Sequence, residues 1–219
     1  MQFKKLLLVS SAVLFAVSAA TALASIDDKT YNAVLASTPT IGDIVFTRTG
    51  GPLFTGVAAT TQTWTSHVGI IVDYQRGDWI VAESGIPFVR QTPLRKFLGR
   101  SEDQKFAIMR LKAEPTIEQK AAMLRFADSQ VGKPYCLGFD LDSRNTFCSK
   151  FVHDDIYQST HQSLGEIETF DHLLHSNPNA PLWLWRAWFF GKIPWQRRTI
   201  TPASELRSPL LRVVAQHNL

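Results

Sequence analysis

Apolar and polar positions change their period along this chain, and the change divides it in two. From Ile41, IGDIVFTR sets branched apolar residues around Asp43 in strand-like alternation. SHVGIIVDY (66–74) is a longer branched run, and WIVAES (79–84) follows it after the turn QRG. FAIMRL (106–111) is another run of strand length. Such segments joined by turn residues predict antiparallel strands. After Pro115 the period lengthens, and PTIEQKAAMLRFADSQVG predicts a helix. Thr116 is its N-cap, with Gln119 at capping-box spacing. Ile117, Ala121, Leu124, Ala127 and Val131 form its apolar stripe, and Gly132 and Pro134 end it. A second helix is expected from Cys148 to about Gln158, with Phe151, Val152 and Ile156 facing inward. Residues 26 to 40 predict a short lead-in helix and linker. Strands first and helices after predict an α+β domain.

The N-terminus follows a different pattern. MQFKK, the apolar run LLLVSSAVLFAV and the small-residue end TALAS have the layout of a secretory signal over residues 1–24. Ala22 and Ala24 occupy the positions a signal peptidase reads, and Ser25 is the expected first mature residue. The apolar run is shorter than the roughly 20 residues a membrane-spanning helix needs. The expectation is a periplasmic or secreted protein with one domain over residues 25–219. Loss of Lys4 and Lys5 lowers the formal charge from +4 to +2, too weak a balance to argue for nucleic acid.

Aromatic residues gather in PLWLWRAWFFGKIPW, which holds Trp183, Trp185, Trp188 and Trp195 with Phe189 and Phe190. One reading is core and lid packing. The other is an exposed surface in peripheral contact with lipid, which the flanking Arg186, Lys192, Arg197 and Arg198 would suit.

Chemistry centres on Cys148, which stands where a helix is expected to begin. Free backbone N–H groups and the dipole at such a position lower a thiol pKa and can hold an oxyanion. Two other readings stay open. Cys148 pairs with Cys136 in a disulfide, feasible in an exported protein, or it is a small buried residue. A nucleophilic thiol needs a base. His153 is turned away by the helix, and His161, His172, His175 and His217 sit in polar or terminal segments. His67 opens a strongly apolar strand, where its ring faces either the core or a cleft. Glu83 lies inside WIVAES, where a carboxylate is costly unless paired. If QRG is a three-residue hairpin loop, Gly69 opposes Glu83 and His67 opposes Gly85. His67 and Glu83 are then diagonal neighbours on one face, about 7–8 Å apart at the backbone. A two-residue loop would put Glu83 on the other face, and a competing partner for it is Arg90 or Arg110. No set of Cys and His has zinc-ligand spacing, and no cofactor is expected.

SHVGI, AES, VGKPY and FCSKFV, in that order, resemble the circularly permuted branch of the NlpC-type papain-like superfamily, in particular its YiiX/YaeF-like members. GDIVF and ITPASELRSPLL add to the resemblance, which spans roughly residues 41 to 213. It implies a permuted papain-like fold, an antiparallel sheet or small barrel packed against helices. It also implies Cys148 as nucleophile, His67 as general base, Glu83 as third polar residue and Tyr135 as a tyrosine near the thiol. The expected function is then a cysteine hydrolase (amidase or peptidase) acting on an amide, such as one in cell-wall peptide. The alternatives are a lipid-directed thiol acyl hydrolase or acyltransferase, and a catalytically silent binding module.

Overall fold

Branched residues on both faces of the central strands build an open antiparallel sheet with helices against each side. The computed structural model describes residues 25–219, so the expected signal segment lies outside the described residues. Along the chain run α1 (Asp28–Ala36), β1 (Ile44–Thr47), α2 (Pro52–Thr60), β2 (His67–Gln75), β3 (Asp78–Ser84), β4 (Val89–Pro93), α3 (Leu94–Gly99) and β5 (Phe106–Leu111). Then come α4 (Ile117–Gln130), α5 (Cys148–Thr160), β6 (Glu168–Thr169), α6 (Phe170–His175), α7 (Leu182–Trp188), β7 (Arg198–Thr199), α8 (Pro202–Leu206) and β8 (Leu211–His217). The main sheet has the order β4-β3-β2-β1-β5-β8, with β6 and β7 paired separately. The outer strands β4 and β8 do not pair with each other, so the α+β fold carries a sheet and not a small barrel.

Alternation along β1 and β2 sorts the core into two layers. Ile44, Phe46, Val68 and Ile70 face α4 and α5. Val45, Ile71 and Val81 face α1 and α3. A third cluster lies beyond the sheet, where Phe139, Phe147, Phe170 and Trp185 pack edge to face.

The β2–β3 hairpin differs from its expected form in two ways that cancel. Gln75 pairs with Asp78, so the loop is only Arg76 and Gly77. Both have positive φ, 52° and 86°, as a twist-matched two-residue turn requires. The register then shifts between Ile71 and Asp73, so that Ile70 opposes Ala82. The bulge at Val72 supplies the residue that the short loop omits. Continued along the strands, this register places Gly69 beside Glu83 and His67 beside Gly85.

α4 has the expected capping box between Thr116 and Gln119, but its buried face is rotated. Met123 and Ala127 are buried, while Ile117 and Val131 are exposed. Ile117 opens the helix and Val131 is already its C-cap, and neither end of the expected stripe meets the core. α5 follows expectation, burying Phe151, Val152 and Ile156.

α2 and α7 pack against each other and share the third, aromatic cluster. A Cβ at Gly56 would lie 2.0 Å from Leu184 Cδ2, so glycine there leaves room for the Leu184 side chain between these helices. Trp185 Nε1–H donates to Thr60 Oγ1 at 2.7 Å. Asn177 closes the end of α2 by donating to the Ala59 and Thr60 carbonyls. The aromatic segment thus divides. Trp185 is buried, whereas Trp183 and Phe190 are 73% and 94% exposed.

Candidate active site

Three chain segments place the candidate site residues. β2 begins with His67, β3 carries Glu83 one residue before its end, and α5 begins with Cys148. The loop ahead of α5 is tied to the sheet. Cys136 N–H donates to the Thr146 carbonyl at 2.7 Å, Tyr135 N–H to the Pro87 carbonyl at 2.9 Å, and Ser84 Oγ to the Thr146 carbonyl at 3.2 Å. On the far side, Ser149 Oγ donates to the Ile200 carbonyl at 2.8 Å. Phe147, the N-cap of α5, has no side-chain cap bond, so the first N–H groups of that helix stay available to a ligand or thiolate.

His67 Nε2 lies 2.7 Å from Glu83 Oε2. The other ring nitrogen, Nδ1, is buried with no hydrogen-bond partner among the described residues. The ring packs against Phe97 and edge-on to Phe54, which limits its rotation. Glu83 is fully buried, and its Oε1 accepts from Thr92 Oγ1 at 2.7 Å, Arg90 Nε at 3.1 Å and Arg100 Nη2 at 2.6 Å. Glu83 thus contacts His67 through Oε2 and the guanidiniums of Arg90 and Arg100 through Oε1; of the two arginines the sequence suggested, Arg90 is a partner and Arg110 is not. Arg110 instead pairs with Asp43. Arg100 and Thr92 had no signal in the sequence, because neither lies near Glu83 in a recognisable spacing.

Tyr135 Oη stands 4.0 Å from Cys148 Sγ. Cys148 and Cys136 are both free, buried thiols, and Cys136 belongs to the aromatic cluster. His153 points away from the thiol and bonds the Leu164 carbonyl through Nδ1.

The electrostatics follow from these contacts. Burial pushes the Cys148 thiol up, but His67, the Ser149 backbone N–H and the Tyr135 hydroxyl together bring its pKa below the ordinary value. Burial opposes charge on His67 as well, yet its interactions with Cys148 and Glu83 push its pKa up to about 9. Burial disfavours the Glu83 carboxylate, but His67, Arg100 and Arg90 hold it well below the usual carboxylate range. The arrangement favours a thiolate beside an imidazolium, with an ionised carboxylate behind it.

Two cavities meet this site. A narrow one of about 40 Å³ ends at Cys148 between Val57, Phe139, Phe147, Trp185 and Ile200. Another, of about 140 Å³, opens over His67, Glu83, Arg90 and Arg100.

A sheet that delivers histidine and acid before the cysteine helix is the permuted form of a papain-like fold. The chain belongs to the permuted papain-like amidase enzymes of the YaeF/YiiX, C92 family, whose model matches residues 38–215. It is 25% identical to the uncharacterized protein YiiX of Escherichia coli (strain K12) over 179 residues, 81% of this chain and 87% of that protein. Its fold is shared with a crystal structure described as the metalloprotein yiiX from Escherichia coli O157:H7. The TM-score is 0.75 at 23% identity, over 82% of this chain and 98% of the other. Among the described residues no three His, Cys, Asp or Glu side chains converge as a metal-ligand set, so the residues present do not fit a protein-held metal ion.

Proposed function

We propose that this amidase-family protein is a thiol acyl hydrolase with Cys148 as nucleophile, acting on an amide whose acyl group is short and apolar. The observation that carries the reading is the cavity at Cys148, which Phe139, Phe147, Trp185 and Ile200 line together with Ser and Thr residues, so that its open surface is mostly apolar. None of its lining residues is charged, unlike a site for the carboxylates of a cell-wall peptide. Its volume of roughly 40 Å³ suits a short acyl group better than a long one.

In the proposed reaction the Cys148 thiolate adds to the carbonyl carbon, and the first N–H groups of α5 take the developing oxyanion. The carbon–nitrogen bond breaks as His67 gives its proton to the departing amine. His67, now neutral, takes a proton from water, which attacks the thioester and releases the acid. Glu83 holds the imidazole through Nε2 throughout, leaving Nδ1 for these transfers.

The outer face of α7 supports a peripheral lipid contact. Trp183 and Phe190 project to solvent beside the exposed Arg186 and Lys192, which suits an anionic bilayer. With the N-terminal segment read as an export signal, the enzyme would work in the periplasm or outside the cell.

Hydrolysis of p-nitrophenyl esters from acetate to decanoate, beside a cell-wall tetrapeptide, tests the reading. The expected result is Cys148-dependent turnover that favours the short acyl chains over decanoate. Turnover of the peptide alone, or turnover that survives Cys148→Ala, would overturn it.

A further inference from the structure

Cys148 and His67 face different cavities. The apolar cavity reaches Cys148 and not His67, and the wider one reaches His67 and not Cys148. Phe54 borders both. Thiol acyl transfer divides its substrate in the same way. Sulfur bonds the acyl carbon, and the imidazolium protonates the departing heteroatom. The apolar cavity is then the acyl side, and the cavity over His67 is the side of the leaving group.

Charge distinguishes that second cavity. Glu83 is the only acidic residue in its lining, and it faces two guanidiniums that share its Oε1. One carboxylate balances one of them, which leaves a net positive charge. The Arg90 and Arg100 side chains remain 32% and 38% exposed. Arg90 donates Nε to Glu83 and Nη1 to the Ile86 carbonyl, leaving Nη2. Arg100 donates Nη2 to Glu83, leaving Nε and Nη1. A guanidinium with free N–H groups beside a cavity is suited to a carboxylate or phosphate. Thr47 and Thr49 stand in the same wall.

We propose that this cavity binds an anionic group carried on the departing amine. The substrate class is an N-acyl amine with a carboxylate or phosphate one or two carbons from nitrogen, such as an N-acyl amino acid. The inference rests on the reading of Cys148 and His67 as the acyl-transfer pair. Its balance is amide plus water giving a carboxylic acid and an anionic amine, with the amine proton supplied by His67 and restored from the attacking water.

Four substrates with one acyl chain test it in the mature protein. They are N-butyrylglycine, N-butyryl-O-phosphoethanolamine, the neutral N-butyrylglycinamide, and p-nitrophenyl butyrate as a reporter without an amine. An anionic amide should exceed the neutral one by about tenfold or more in kcat/KM, the effect of one well-placed ion pair. The better anion identifies carboxylate or phosphate as the source. Arg100→Gln should shrink the anionic-to-neutral ratio about tenfold, and Arg100→Lys should restore part of it. Because the readout is a ratio within one protein, a general loss through Glu83 does not imitate it. Equal rates for all three amides, with Cys148-dependent cleavage of the reporter, would overturn this proposal and leave the thiol reading standing. No cleavage of the reporter would overturn both.

Discussion

His67 and Glu83 share one face of the sheet and meet at 2.7 Å because β2 carries one residue more than its partner. Without the bulge at Val72, the two-residue turn would shift the pairing by one. That slip sends His67 and Glu83 to opposite faces. The resulting contact leaves Nδ1 of His67 without a hydrogen-bond partner among the described residues and holds the carboxylate ionised. Glu83→Gln keeps the shape but removes the charge shared by His67, Arg90 and Arg100. Proton transfer by a positioned side chain contributes about 10²–10⁴-fold, so kcat should fall by roughly 100-fold or more. The measurement is steady-state turnover of the variant with circular dichroism as a check on folding. Turnover within a few-fold of the parent would remove Glu83 from the site.

The paired shifts of Cys148 and His67 set a pH window. The thiolate forms below the ordinary thiol value, and His67 keeps its proton up to about 9. Iodoacetamide labelling of Cys148 should therefore already be fast at neutral pH. Hydrolysis should rise through the Cys148 transition and fall as pH passes about 9. Tyr135→Phe should move the rising limb to higher pH, since the hydroxyl favours the thiolate. Stability follows the same groups. His67 is raised from 6.5, so its contribution is complete below that value and is lost as pH rises through about 9. Glu83 is lowered from 4.5, so its contribution is present above that value and is lost as pH falls through its depressed one. Labelling that is slow at neutral pH and rises with an ordinary thiol midpoint would contradict the ion pair.

The strands and helices that frame the site were legible because their apolar periods are strong, as in FAIMRL or around Phe151. The hairpin loop was not. Ile70, Ile71 and Val72 are all fully buried, so no polar alternation marks where the register shifts. The assumed three-residue loop and the real pair of short loop and bulge lead to the same facing of His67 and Glu83. The agreement there came from compensation, not from correct turn chemistry. β4 and β8 escaped notice for a related reason. VRQTP and LRVVAQH are edge strands in which polar and charged residues interrupt the apolar ones without strict alternation, with Val213 exposed and Thr92 buried, which weakens the apolar signal. Arg100 could not be assigned, since only the packing of α3 beside β3 and β4 brings it to a carboxylate 17 residues earlier.

The exposed aromatics of α7 should determine lipid binding without supporting the fold. Phe190, just beyond the end of α7, and Gly191 both have positive φ, 50° and 85°, and the Phe190 side chain is exposed. In sedimentation with phosphatidylglycerol vesicles the protein should bind, and with phosphatidylcholine it should bind less. The double variant Trp183→Ala, Phe190→Ala should lose about tenfold or more in partitioning. Its thermal stability should change by no more than about 0.5 kcal/mol, as for other surface positions. Failure of the parent protein to sediment with anionic vesicles would rule this surface out as a lipid contact.

Glu205 tests how burial governs a carboxyl that has no ion partner. It lies in α8, fully buried, and neither oxygen has a hydrogen-bond partner among the described residues. Burial raises its pKa well above the ordinary 4.5, and the nearby Cys148 and Asp154 add to the rise. A raised carboxyl pKa makes folding less favourable as pH climbs from 4.5 toward the folded value, because the unfolded chain ionises first. Glu205→Gln has nearly the same shape and cannot ionise. The variant should match the parent near pH 4 and exceed it increasingly toward neutral pH. A gain of about 1 kcal/mol corresponds to about 2–4 °C in Tm for a chain of this size. Removing this carboxyl also removes a negative charge that would oppose the thiolate, so labelling of Cys148 at high pH should not slow. A Tm difference independent of pH would show that Glu205 is ionised in the native protein through a partner it finds in solution.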